Sequence, residues 1–476
     1  MNSLDVVLER LPTVQKPKRA LPLSTRLMWT ALAALVYIIM TITPLWGMQR
    51  AAAQTSPAAS LFNNPLISTI FGTAYGTWAQ LGIGPIVIAG IFMEILHFSG
   101  LLPFDLEDKR DRLRFMAFQK LLALILAAGE VAASMAMGAF GPLTPVGAAA
   151  IFLQLMAATV IVILLDDMIA KGWGFGGSAV NLIIMLSVTR TLFVNLLSWA
   201  PPAVPGNADP SQYPATQLPL GFIPALGVAL YNTFTGLAPG LEALLFRQLP
   251  PPYYTSLPDL VGLVATLALA YVVIYIEQMH VNIPAAYTQY WGIRINIPLR
   301  FMYVSVLPII FTAYSLILLY QIIAGIAALT GAAASPALQL ILVAMIPERV
   351  FAPEYVALHI LLYAVLATVF AWLWGQIGGI GPEDYAKSLV QSGLHIPGFR
   401  QSERVMAKML KRPIETLILL SGMLAGTLAA LGDILGVWGS GIGLILLVEI
   451  GLGYYTQMMQ EELLEIYPGL KRMIGQ

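Results

Sequence analysis

Glu94-Ile-Leu-His97 and Glu277-Gln-Met-His280 are both Glu-x-x-His pairs. On a helix, residues three apart share a face, and two such pairs with two further glutamates can hold a di-iron centre inside a bundle. Both pairs sit at the ends of apolar runs, where polar residues are expected anyway, so a membrane metalloenzyme is a reading for a metal assay to test. Arg190, Glu130 and Glu449 fall inside apolar runs, and an ionisable group there flags function by default. Arg190 and Glu130 could pair or face a water-filled vestibule; a proton relay is the sharper alternative. Cysteine is absent, which removes disulfides, thiolate metal sites and cysteine nucleophiles. The stretch GGIGPED lacks the lysine and strand context of a phosphate-binding loop, so the chain cannot burn nucleotide by itself. Gly422-x-x-x-Gly426 is a helix-packing motif.

The elements that carry these residues follow from composition. Of 476 residues, 58% are hydrophobic and only 11% are charged, with a mean hydropathy of +0.78. A soluble domain needs more surface charge than that; this is a polytopic membrane protein. The net charge is zero, so no global field points to nucleic acid or an acidic partner. A bilayer core of ~30 Å takes about 20 apolar helical residues per crossing. Ten runs qualify: 25–47, 78–100, 115–138, 146–168, 177–200, 258–281, 299–322, 355–378, 414–437 and 440–460.

With the N-terminus in the cytoplasm, 21 of the 25 lysines and arginines fall on the cytoplasmic side. Only Arg50, Arg247 and Arg349 fall outside. That asymmetry predicts a multi-pass cell-membrane protein with both termini cytoplasmic. Residues 1–24 lack the apolar core and cleavage site of a signal peptide. They read as an amphipathic surface helix with Leu4, Val7, Leu8 and Leu11 on one face. The spans divide into halves over 25–200 and 258–460, joined by an external, proline-rich connection at 201–257. A second external connection covers 323–354. The cytoplasmic loops 282–298 and 379–413 are long and basic, and 461–476 is a cytoplasmic tail. Pro85 and Pro308 recur in the second span of each half. Five helices is an odd number, so the second half enters from the opposite side. The pattern predicts an inverted repeat with a working site at the midplane.

Residues 61–78, LFNNPLISTIFGTAYGTW, are apolar enough to enter a membrane and too short to cross one. The next residues, LGIGPIVIAGIFMEIL, resemble the second-span signature of the SecY family, the main subunit of the protein-conducting channel. Leu81, Gly82, Ile83, Pro85, Ile86, Ala89 and Ile91 match it, while Glu94 stands where the family has Gln. PLSTRLMWTALAALVYIIM, GWGFGGSAV, GFRQSERVMAKMLKR and GSGIGLILLVEIGLGYYTQMMQEEL resemble family segments in the same order. The pattern looks more like archaeal and eukaryotic members than bacterial ones, the first span resembling that of archaeal members. The resemblance implies an all-α membrane protein, ten transmembrane helices in two pseudo-symmetric five-helix halves around a central hourglass pore.

It also implies roles for residues. The half-span is the family's plug: Leu61, Phe62, Asn63, Asn64, Pro65, Leu66, Ile67, Ser68, Thr69, Ile70, Phe71 and Gly72. The aliphatic pore ring carries over to Ile83, Val87, Val180, Ile184, Leu307 and Ile445, with Leu446 the neighbouring alternative to the last. Aliphatic groups cannot replace an ion's water shell, so a narrow ring blocks ions and gates by dewetting. The lateral gate carries over to Pro85, Ile86, Ile91 and Pro308, the prolines weakening their helices. It would recognise the apolar core of a signal sequence and open to the lipid bilayer. Arg294, Arg300, Arg400, Arg404 and Lys408, with Lys411 and Arg412 nearby, form a basic platform for a ribosome bearing a nascent chain. A SecE-type and a beta-type small membrane subunit complete the implied assembly, with no cofactor and no catalytic residue. The alternative is an inverted-repeat secondary transporter for a small solute. It calls for clustered polar residues at the midplane, which the spans lack.

Overall fold

Apolar runs have one local way to satisfy their peptide groups in lipid, the α-helix. The computed structural model holds fourteen α-helices among the residues it describes. Those are 11–19, 21–48, 65–102, 104–105, 108–202, 216–248, 256–287, 294–304, 306–330, 335–345, 349–395 and 402–466. In chain order the helices begin with α1 (Leu23–Ile42), α2 (Pro65–Phe71), α3 (Gly84–Phe98), α4 (Lys109–Ala136) and α5 (Pro145–Ala170). There follow α6 (Ala179–Leu197), α7 (Phe222–Thr235), α8 (Leu260–Glu277), α9 (Val306–Thr330) and α10 (Pro336–Ala344). The last are α11 (Pro353–Ile377), α12 (Pro382–Gln391), α13 (Glu403–Leu435) and α14 (Gly441–Ile466). Eight of these are long and apolar enough to cross a membrane: α1, α4, α5, α6, α8, α11, α13 and α14. The second and seventh expected spans are α3 and α9. Helix α3 has only 15 residues, because 73–83 form turns rather than the first turns of a span.

The chain forms two compact units, one of residues 1–189 and 450–476, the other of 190–449. In the first, α4 and α5 close on Leu45, Leu81 and Phe140. The second half of α14 belongs to this unit. Its Tyr454 ring lies so close over Gly176 that a Cβ there would fall 1.7 Å from it, and its Glu461 pairs with Arg26. Residues 11–19 are not helical, which corrects that part of the expected surface helix; Leu4, Val7 and Leu8 lie outside the described residues. Their backbone is pinned instead. The Val14 N–H donates to Asp167 at 2.7 Å, Lys171 Nζ donates to the Val14 carbonyl at 2.5 Å, and Trp173 Nε1 donates to Gln15 at 2.7 Å. Backbone pairing to fixed side chains wins over helix formation here, since Pro12 and Pro17 interrupt the helical ladder.

In the second unit, α11 packs along α13 through small residues. A Cβ on Gly426 would meet the Tyr363 carbonyl at 2.4 Å and one on Gly422 the Ala367 carbonyl at 2.8 Å. The loops expected to project carry a three-stranded sheet in the order β2-β1-β3, from β1 (His280–Tyr287), β2 (Arg294–Arg300) and β3 (Leu394–His395). Strands β1 and β2 run antiparallel from His280 opposite Arg300 to Ala286 opposite Arg294. Its apolar side packs with Leu389 of α12 and Met406 and Leu410 of α13.

Two of the arginines assigned to the outer side are buried and structural. Asp259 caps α8 by accepting from the Gly262 N–H at 2.6 Å, and its other oxygen pairs with Arg349. Arg349 also donates to the Leu435 carbonyl at the end of α13, at 3.0 Å. The Arg247 guanidinium donates to the carbonyls of Pro219 at 2.8 Å and Pro258 at 3.1 Å, and its backbone N–H reaches Asp259 at 3.2 Å. Burial holds the Arg247 pKa down at about 10, partly offset by the Asp259 charge. Arg50, the third, lies outside the described residues.

Candidate functional site

The re-entrant stretch appears as α2, seven residues from Pro65 to Phe71. Of the twelve residues assigned to it, Leu61, Phe62, Asn63 and Asn64 lie outside the described residues. A helix this short leaves its last four carbonyls without helical partners and has no stability of its own. The surrounding helices supply donors. Ser187 of α6 donates its hydroxyl to the Ser68 carbonyl at 2.7 Å. The Ile83 N–H, just before α3, donates to the Phe71 carbonyl at 2.9 Å. The Tyr37 phenol of α1 donates to the Gly72 carbonyl at 2.6 Å. Thr69, Ile70 and Phe71 are buried, while Ile67 and Ser68 are half-buried.

Two glycines make this approach possible. Gly72 has φ +68, and a Cβ there would lie 2.5 Å from the Tyr37 oxygen and 2.8 Å from Ile183. Gly82 has φ +55, and its Cβ would sit 2.0 Å from the Phe71 carbonyl oxygen. Only glycine fits such positions. The turns between them are stitched to the end of α1: Leu45 donates to the Gly76 carbonyl at 3.0 Å and Trp78 to that of Thr43 at 3.0 Å. Irregular backbone at membrane depth is tolerated where protein buries it in this way.

The first-unit residues assigned to the ring lie on the helices that hold α2. Ile83 is fully buried at the cap of α3, and Val87, one turn on, is half-buried. Val180 and Ile184 stand one turn apart on α6, half-buried and buried respectively. In the second unit, Leu307 is half-buried in the first turn of α9, and Ile445 and Leu446 are both fully buried in α14. Pro85 and Pro308 fall in the first turns of α3 and α9. A first-turn N–H has no helical partner to lose, so these prolines start their helices and do not weaken them, which corrects that expectation. Ile86 is buried and Ile91 half-buried along α3.

The basic residues expected on a loop stand on a helix. Arg404, Lys408, Lys411 and Arg412 are exposed at spacings that place them on one face of α13, a 33-residue helix. At ~1.5 Å per residue that is about 50 Å, longer than a bilayer crossing. With Glu383, Asp384 and Lys387, three of them, Arg404, Lys408 and Lys411, border a groove of about 710 Å³. Arg300 is exposed at the end of β2 and Arg294 opens that strand, opposite Ala286. Arg400 lies outside the described residues. Between β2 and α9, Tyr303 donates to the Ile380 carbonyl at 2.9 Å. Its pKa is pushed up to about 12 by burial, with Tyr385 and Asp384 adding to the shift.

No group of three or more His, Asp or Glu side chains that could hold a metal is gathered among the described residues. His97 lies 3.3 Å from the Leu102 carbonyl and His280 2.6 Å from that of Gln278. Arg190 is exposed, and Glu130 and Glu449 are half-buried. Tyr37 and Ser187 were not singled out by their types, since a lone hydroxyl in an apolar run is common. Gly82 did carry a signal, inside LGIGPIV.

Residues 77–455 match the SecY family model. A protein translocase subunit SecY from Saccharolobus solfataricus is 36% identical over 100% of this chain and 99% of its own length. A solved SecY, described as having a plug domain that stabilises the closed state of the translocation channel and maintains a membrane seal, superposes with TM-score 0.70 at 26% identity, covering 98% of this chain and 99% of the other. Sec61 from a canine ribosome–channel complex of the endoplasmic reticulum also gives TM-score 0.70, at 25% identity and the same 98% and 99% coverage. With a family match over most of its length and a full-length relative at that identity, the chain belongs to the SecY family of protein translocase subunits.

Proposed function

We infer that the chain is the pore-forming subunit of a protein translocation channel, passing unfolded polypeptides across the membrane and releasing transmembrane segments sideways into lipid. The observation that carries this reading is the seven-residue helix α2, held by its backbone carbonyls and ending against Ile83. A pore closed by such a segment seals at rest without a strong fold of its own, and a passing chain displaces it at small cost. Ile83, Val87, Val180, Ile184, Leu307 and Ile445 form the constriction, and residues 61–72 form the plug. The lateral gate is assigned to Pro85, Ile86 and Ile91 of α3 and to Pro308 of α9. Both termini face the cytoplasm. The exposed basic face of α13, with Arg294, Arg300 and Arg400, docks the ribosome; the ribosome-bound Sec61 relative supports that choice. The chain catalyses no reaction and takes its driving force from its partner. A SecE-type and a beta-type subunit complete the channel.

The test is reconstitution with the two small subunits in planar bilayers. Deleting residues 61–72 raises resting ion conductance if they are the stopper. A deletion channel that still transports but leaks no more than the intact one overturns the assignment.

A further inference from the structure

We propose that α7 and the 3-10 turn after it form a shallow membrane anchor. Its apolar edge, led by Phe234, inserts among the acyl chains of the leaflet opposite the basic loops. The hairpin is fixed at the depth where two spans end. At its start, Gly221 donates to the Ser198 carbonyl at 2.8 Å and Leu220 to that of Ala200 at 2.9 Å. A Cβ on Gly221 would fall 2.4 Å from the Ser198 nitrogen, so α7 begins hard against the end of α6. At its finish, Leu257 donates to the Arg247 carbonyl at 2.7 Å, and Arg247 is tied to the Asp259 cap of α8. The hairpin cannot lift away from the mouth of these two helices without breaking the buried arginine network.

Its two faces are both apolar, and protein covers only one. Ala225 and Ala229 pack with Leu218 and Leu244. The opposite stripe, Ile223, Leu230 and Phe234, is spaced seven and four residues apart and is 50%, 37% and 87% exposed. Leu237, Leu241 and Leu245 continue it, all exposed. Between residues 216 and 246 the only charged residue is Glu242. An exposed apolar row of this extent marks a contact surface. The occupant is lipid because the row continues the apolar surface of α6, where Phe193 and Leu197, with Trp199 just past the helix, stand exposed beside the same junction. The near absence of charge offers a protein partner no complementary field. A helix lying in the interface gains stability from buried apolar area.

The chain has no cysteine, so a single one can report its own surroundings. Phe234→Cys and, separately, Leu237→Cys are labelled with an environment-sensitive fluorophore in the assembled channel and placed in phosphatidylcholine vesicles containing nitroxide-tailed lipid. Leu153→Cys, exposed on the spanning helix α5, is the lipid reference, and Glu383→Cys, exposed on α12, is the water reference. Quenching by nitroxide lipid comparable to the Leu153 label, and several-fold above the Glu383 label, is the expected result. Quenching by aqueous iodide instead overturns the proposal. Protection from both quenchers also overturns it, since a second copy or another protein then covers the edge. If Phe234→Cys fails to assemble, Leu237→Cys decides.

Discussion

Removing the two hydroxyls that grip α2 should loosen a resting channel by a calculable amount. Tyr37→Phe deletes the donor to the Gly72 carbonyl and Ser187→Ala the donor to that of Ser68. A buried neutral hydrogen bond contributes about 1 kcal/mol net. Each change then shifts the balance between seated and released segment about fivefold, and the pair about 30-fold if they act independently. The third grip, from the Ile83 N–H, is backbone and remains in both variants. The assay is single-channel recording of the reconstituted complex without substrate, scored as open probability. Thr427→Val, which removes an exposed hydroxyl bonded within α13, serves as the reference for a generic loss. Departure from a product of the single effects measures coupling between the two grips. A double variant that melts like the parent and opens no more often refutes the view that this seat holds the segment shut.

Asp259→Ala leaves the Arg349 charge buried beside α13 without its carboxylate, a loss of about 3–5 kcal/mol; thermal melting of the detergent-solubilised protein should drop sharply, and an unchanged midpoint would count against the network. Gly82→Ala puts a methyl 2.0 Å from the Phe71 carbonyl oxygen and should give a leaking or unstable protein. Gly100→Ala, at φ +75 in open space, should cost only about 1–2 kcal/mol; equal effects in the two would show that the close approach is irrelevant. Tyr303 holds its proton in the folded protein up to about pH 12, against 10 for a free phenol. Its contribution is therefore intact below pH 10 and is lost as pH rises from there toward 12. Denaturation midpoints of parent and Tyr303→Phe should converge across that interval, and parallel curves would exclude the residue. Reversing Arg404 and Lys408 to Glu should weaken ribosome binding and flatten its dependence on salt; an unaltered salt slope in a sedimentation assay would remove that face of α13 from the contact.

The spans are legible because lipid leaves the backbone no alternative to helix, so hydropathy marks which stretches cross. What hydropathy could not see was where a helix starts when irregular backbone is buried inside the protein. The run 78–100 is apolar throughout, yet helix begins at Gly84, because Gly72, Gly76 and Gly82 adopt left-handed turns. The prolines were read as weak points and turned out to be starters, since a few residues' shift in the boundary changes what a proline does. The strands β1 and β2 lie in polar connections that read as loops, although VNIPAAY and INIPLR share an alternating pattern. Arg247 and Arg349 fall on the outer side by charge count alone; their burial depends on carbonyls of Pro219, Pro258 and Leu435, far apart in sequence. The basic cluster reads as a loop but stands on a helix, because α13 continues well past the lipid-length window.

Three hydrogen bonds that hold α2 and its exit, from Ser187, Ile83 and Tyr37, end on peptide oxygens. Every amino acid carries that group, so these bonds do not depend on how the stopper is spelled, and only the buried Thr69, Ile70 and Phe71 restrict its side chains. Side chains of the stopper can change where burial leaves room, provided Gly72 keeps its handedness and the tyrosine, the serine and Gly82 stay put. A foreign short helix grafted between residues 65 and 71 with side chains of matching size at 69–71 should therefore still close the passage, which makes this element an exchangeable part inside an otherwise fixed machine.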